Sequence, residues 1–87
     1  MSLDEYRKEI DRIDGEILRL FHERMDIAAK IAQYKREKGL PILQPQREEE
    51  KLQALTKLCR EDLQPYVREL YMQMFALSRR YQGEGKP

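Results

Sequence analysis

The sequence predicts an all-α protein of three helices per chain, built on one very long first helix that needs a second copy of the chain to lie against. Three observations predict it. Apolar residues recur at Leu3, Tyr6, Ile10, Ile13, Ile17, Leu20, Ile27, Ile31 and Tyr34, mostly in steps of three and four, with no strand-like alternation. Punctuation stands only at the ends of that run: Ser2 with Glu5 three positions on forms a capping box, and Gly39 followed by Pro41 marks the stop. Length is the third. A helix from Ser2 to Lys38 would be about 55 Å long, whereas a compact globule of this size has a radius of gyration near ~12 Å. Such a rod has to rest on something besides its own chain, most economically a second copy.

Within the first helix only Gly15 argues against continuity, and one interior glycine costs about 1 kcal/mol, too little to break so long a pattern. Arg24 and Lys35 are eleven positions apart and fall within about 20° of each other around the axis. Ala28 and Ile31 lie between them, with Ala32 on the flank, so small side chains leave a slot with a cation at each end. Arg7 points about 100° away and lies about 25 Å further along the axis. It cannot join that slot in its own chain, but across an antiparallel two-fold contact it could reach the slot of a partner. By spacing alone, a solvated cationic face is the commoner reading. His22 has no second histidine or cysteine at ligand spacing and reads as a surface residue rather than a metal ligand.

After the short connection Leu40 to Gln44, Pro45 suits the first turn of a second helix. Glu48, Glu49 and Glu50 follow where the helix dipole favours carboxylates, and Leu52, Leu55 and Leu58 supply the apolar stripe. Arg47 is a cation where that dipole disfavours one. Either a bound anion compensates it, or Glu50 pairs with it one turn on. Asp62 and Pro65 open a third helix running to about Gln82, with Val67, Leu70, Tyr71, Met74, Leu77 and Tyr81 as its apolar side. Phe75, Ser78 and Gln82 share another face at i, i+3 and i+7, and a polar ridge facing water would account for them equally well. Residues 83–87 have turn composition and read as a frayed tail or the start of a linker, leaving a single domain over 1–87.

Composition narrows the function classes. Seventeen basic residues against sixteen acidic ones leave a formal charge of +1, which does not suggest nucleic-acid binding by bulk charge. No apolar run approaches a membrane span and no secretory pattern precedes the helix, so the chain reads as cytoplasmic with no membrane partner. Cys59 is the only cysteine, so no internal disulfide forms; with Leu55 and Leu58 beside it, it is expected near the core.

Taken together, Arg7 in LDEYRKEID, Asp14 in IDRIDGEIL, Arg24 in FHERMDIA, Lys35 in IAQYKREKG, the Pro-x-Arg-Glu of PQREE and the spaced pair Ser78 and Gln82 resemble the all-helical chorismate mutases, free-standing or fused to another aromatic-pathway enzyme. The resemblance runs from about Leu3 to Gln82. It implies an entwined homodimer with crossing first helices, and rearrangement of chorismate to prephenate in phenylalanine and tyrosine biosynthesis. That reaction is unimolecular and needs no cofactor, metal or nucleophile. The same resemblance implies the roles of individual residues. Arg24 and the Arg7 of a second copy look like carboxylate clamps, with Arg47 as a further electrostatic contributor. Lys35 and Gln82 look like the pair on the ether oxygen, Lys35 also touching a carboxylate. Glu48 looks like an acceptor for the ring hydroxyl, Ser78 like a carboxylate contact, and Ile31 and Phe75 like an apolar wall; Asp14 looks structural. Gln44 stands where the family often has an aspartate, which puts its role in binding the ring hydroxyl in doubt. The connection between the second and third helices is also a little short. A non-catalytic helical dimerisation or regulatory domain would use the same apolar stripes without needing cations around the slot.

Overall fold

In the computed structural model, which describes residues 1–84, the chain forms three α-helices and no strand among the described residues. Helix α1 spans Leu3–Lys38 without a break. Ser2 caps it from extended backbone, its Oγ accepting the Glu5 N–H at 3.2 Å. The Glu5 carboxylate turns back to the Ser2 hydroxyl at 3.3 Å, so the box closes through the side chain. At the far end Gly39 takes the left-handed conformation, φ 68°, which only glycine adopts without strain. The Gly39 and Leu40 N–H groups donate back to the Arg36 and Lys35 carbonyls at 3.3 and 2.8 Å, completing a Schellman stop. Along the exposed face, Arg12 pairs with Glu9, and Arg19 with both Glu16 and Glu23. Solvated pairs of this spacing contribute about 0.3–0.5 kcal/mol each, a modest support for a long helix.

Helix α2 covers Pro45–Leu58, with Pro45 in its first turn as the missing N–H there costs nothing. A single 3₁₀ turn, Glu61–Leu63, leads into α3, Gln64–Arg79. Asp62 lies in that turn and pairs with Arg60 rather than capping α3, and Gln64 ties the corner by donating to the Thr56 carbonyl at 2.9 Å. Helical geometry does not continue regularly to Gln82: α3 gives way after Arg79 to a π turn, Arg80–Glu84. Most of the tail expected over 83–87 lies outside the described residues.

The core is thin. Ala28, Ala32, Leu52 and Phe75 are its buried apolar residues, joined by two buried polar ones, Ser78 and Gln82. α2 and α3 pack on each other, and the π turn docks on α1. One expectation fails here and one alternative is excluded. Leu58, the last residue of α2, is 85% exposed, because six positions from buried Leu52 put it about 120° around the helix from the inward face; Cys59 beside it, where the chain turns extended, is only half-buried. On α3 the inward face is the one carrying Phe75, Ser78 and Gln82. Leu70, Leu77 and Tyr81 remain exposed, so the polar-ridge reading of the Ser78 and Gln82 face is wrong for this chain. The extents, 54 × 29 × 18 Å, and the radius of gyration of 16.0 Å are those of a rod carrying a small helical hairpin at one end.

Candidate active site

Between α1, the Leu40–Gln44 connection, α2 and α3 lies a cavity of about 420 Å³. Nine of the ten residues singled out from the sequence line it; Arg7 does not, being exposed on the other half of α1. From α1 come Arg24, Ile31 and Lys35, which the helical period stacks on one stripe. Ala28 and Ala32 are buried on that stripe, yet the slot they leave is not empty. Gln82 fills it, its Nε2 donating to the Ala28 carbonyl at 3.1 Å with the side chain 8% exposed. Small residues on α1 thus admit the π turn, and the π turn brings Gln82 to the cavity wall.

Arg24 and Lys35 are each held by a second contact. Arg24 donates from Nη1 to Ser78 Oγ at 2.9 Å, and its guanidinium stands 5.8 Å from the centre of the Phe75 ring. One edge of the guanidinium is therefore fixed while the remaining N–H groups of its planar fork stay available. Lys35 Nζ donates to the Ile42 carbonyl at 3.2 Å, pinning the connection over the cavity and leaving two ammonium hydrogens. Gln44 precedes α2 but makes no side-chain cap, so its amide is left on the cavity wall. Arg47 forms no ion pair with Glu50 among the described residues; it lines the cavity at the unsatisfied, electropositive start of α2.

Besides Ala28 of the slot, four lining residues escaped the sequence reading as site residues: Ile27, Ile42, Lys51 and Arg79. Lys51 follows Arg47 by four, and Arg79 follows Phe75 by four, so helical spacing from residues already singled out would have found both. Arg79 pairs with Glu48 across the α2–α3 contact. With these included, the cavity is ringed by five cations, Arg24, Lys35, Arg47, Lys51 and Arg79, against one carboxylate, Glu48. Its floor is apolar, from Ile27, Ile31 and Phe75. Such a chamber suits a small ligand with more than one negative group and a compact hydrocarbon body. Neither a cluster of metal-binding side chains nor a helix long and apolar enough to cross a membrane occurs among the described residues.

The family profile of chorismate mutase type II matches residues 6–83, nearly the whole chain and every wall of the cavity. The chain belongs to that family. It is 49% identical over 60 residues to the bifunctional chorismate mutase/prephenate dehydratase of Aquifex aeolicus, and 44% identical over 60 residues to the chorismate mutase of Methanocaldococcus jannaschii. Each alignment takes in 69% of this chain, but only 17% of the Aquifex protein and 61% of the Methanocaldococcus one, under two thirds of either relative. A third relative, the 4-amino-4-deoxychorismate mutase of Streptomyces venezuelae, is 40% identical over 46 residues, 53% of this chain and 45% of its own. No solved structure matches the chain significantly.

Proposed function

We propose that this chain is a chorismate mutase, converting chorismate to prephenate, and that it works as a homodimer in which Arg7 of each copy completes the cavity of the other. The observation that carries the reading is the cavity itself: cations from all three helices, an apolar floor, and a buried neutral donor, Gln82, on the same cavity as Lys35. Chorismate is a dianion with two carboxylates, an ether link and one ring hydroxyl. Its rearrangement breaks the ether C–O bond while a C–C bond forms between the ends of the same molecule. The electrons move around one ring of atoms, so no proton, nucleophile or cofactor has to be supplied.

The protein therefore has two tasks. It must hold the flexible dianion with its reacting ends together, an orientation effect that anchored cations can provide. It must also place donors where negative charge grows on the ether oxygen as the bond breaks. Arg24, anchored by Ser78 and Phe75, is suited to one carboxylate, and Arg7 of the second copy to the other. Arg47 adds positive potential from the start of α2. Lys35 and Gln82 are suited to the ether oxygen: each spends one hydrogen on a backbone carbonyl, which fixes it, and each keeps at least one more to give. Ile31 and Phe75 press on the ring, while Glu48 and Gln44 offer acceptors for the ring hydroxyl.

The amine-bearing analogue 4-amino-4-deoxychorismate, after which the Streptomyces relative is named, is the competing substrate of the same chemistry. Chorismate is the reading adopted because the two relatives aligned over most of this chain carry the chorismate mutase name. The test is direct. Chorismate absorbance should fall on adding the protein, with prephenate appearing in equal amount. A folded protein that leaves chorismate unchanged would instead be a non-catalytic helical dimerisation or regulatory domain.

A further inference from the structure

Of the five cations around the cavity, Arg79 is the one already committed. Its Nη1 is paired with Glu48, and the two side chains are 25% and 27% exposed, so the pair is partly shielded from water. Arg24, Lys35 and Arg47 are in no ion pair among the described residues and remain for the ligand's carboxylates. Chorismate brings one hydrogen-bond donor, its ring hydroxyl, and the cavity offers one anionic acceptor, Glu48. That makes Glu48 the stronger acceptor for the hydroxyl, with the neutral Gln44 amide as the other.

The analogue carries an amine in place of that hydroxyl. An alkylamine is an ammonium at neutral pH, with a pKa of about 10 as for lysine. Against an unpaired carboxylate the ammonium would win, because a fully charged hydrogen bond is about twice as strong as one with a neutral partner. Glu48 is not unpaired. Arg79 cancels its charge, and a ligand ammonium on the free oxygen would sit across one carboxylate group from a guanidinium. We propose that Arg79, acting through Glu48, is a specificity-determining residue that favours the hydroxyl substrate over the amine. The attraction is shared by both ligands, and the repulsion falls on one of them. This rests on the chorismate mutase reading above.

The experiment measures kcat/KM for chorismate and for 4-amino-4-deoxychorismate with the wild-type protein, Arg79→Met and Arg79→Lys, each checked for helical content and thermal midpoint. Wild type should prefer chorismate. Arg79→Met should move the ratio toward the amine by about tenfold or more, since like charges set against each other are costly at a partly shielded site. Arg79→Lys, which keeps the charge, should hold the wild-type preference. A loss of packing alone would lower both efficiencies and leave their ratio in place. An unchanged ratio in folded Arg79→Met overturns the proposal while the mutase reading stands; turnover of neither substrate by wild type overturns the reading beneath it. If Arg79→Met does not fold, Arg79→Gln reads the same contrast, and equal wild-type efficiency on the two substrates is itself a refutation.

Discussion

At residue scale, Gln82 shows what a neutral donor does in a cationic cavity. Its amide nitrogen carries two hydrogens; the Ala28 carbonyl takes one, and the second is free for a ligand. An amide does not titrate in the working range, so Gln82 contributes no pH dependence to the rate. A glutamate in its place would donate only while protonated. Below its pKa the donor is present, and above it the donor is lost and a carboxylate faces the Ala28 carbonyl and, in the proposed pose, the ether oxygen. Gln82→Glu should therefore turn a nearly flat profile into one that falls as pH rises. On the alkaline side the loss should be about 2–4 kcal/mol of transition-state stabilisation if the contact behaves like an oxyanion-hole donor. Steady-state rates from mildly acidic to mildly alkaline pH check this. A Gln82→Glu protein matching wild type throughout would remove Gln82 from the breaking bond. Gln44 adds a milder case. Its uncapped amide lines the cavity near Glu48, and Gln44→Asp supplies a second anionic acceptor there, so KM for chorismate should change more than kcat. Equal changes in both would place Gln44 in the transition state instead.

At the scale of elements, α1 carries its one flaw at Gly15. A Cβ built there meets nothing within 4 Å, and the position lies about 160° around the helix from Ile13 and Ile17, away from the apolar stripe. Gly15→Ala should stabilise the fold by about 0.5–1 kcal/mol, through the backbone freedom the unfolded chain no longer has to lose. Denaturant midpoints check it, and destabilisation would mean that a second copy packs close to Gly15. The same helix explains what could be read from the sequence. Arg24, Ile31 and Lys35 were legible because they share one element, and a regular helix turns spacing into direction. Pro45 and Gly39 likewise fixed the start of α2 and the end of α1 through local backbone chemistry alone. Facts that depend on how elements meet were not legible. Ser78 and Gln82 turn inward because Ala28 and Ala32 leave room and Arg24 supplies a donor, and none of these lies on α3. The Arg79–Glu48 pair joins residues 31 positions apart, which no local pattern encodes. Leu58, by contrast, could have been read from spacing: two steps of three carry it about 120° around α2 from Leu52, and it ends exposed.

At the scale of the whole molecule, the exposed apolar surface of α1 is what the proposed dimer has to cover. Every residue from Met1 to Leu20 is exposed, and Leu3, Tyr6, Ile10, Ile13 and Ile17 are 62%, 54%, 55%, 40% and 59% exposed along one stripe of α1. A monomer rarely leaves so long an apolar run in water, and Leu70, Leu77 and Tyr81 on α3 are exposed as well. A second copy related by a two-fold axis would cover the stripe with the same stripe. It would also carry Arg7 across the roughly 25 Å of helix that separate it from Arg24 in its own chain. Sedimentation should find a dimer at micromolar concentration, with unfolding midpoints that rise with protein concentration; a stable folded monomer would undo the shared cavity. Complementation tests the sharing itself. Arg7→Ala and Arg24→Ala should each be nearly inactive alone. Unfolded together and refolded, they form heterodimers in which one cavity carries both lesions and the other carries neither. Random pairing makes half the dimers mixed, so activity should return to about a quarter of wild type. Two copies that each use their own Arg7 would leave every cavity with one lesion, and the mixture would stay as inactive as its parts.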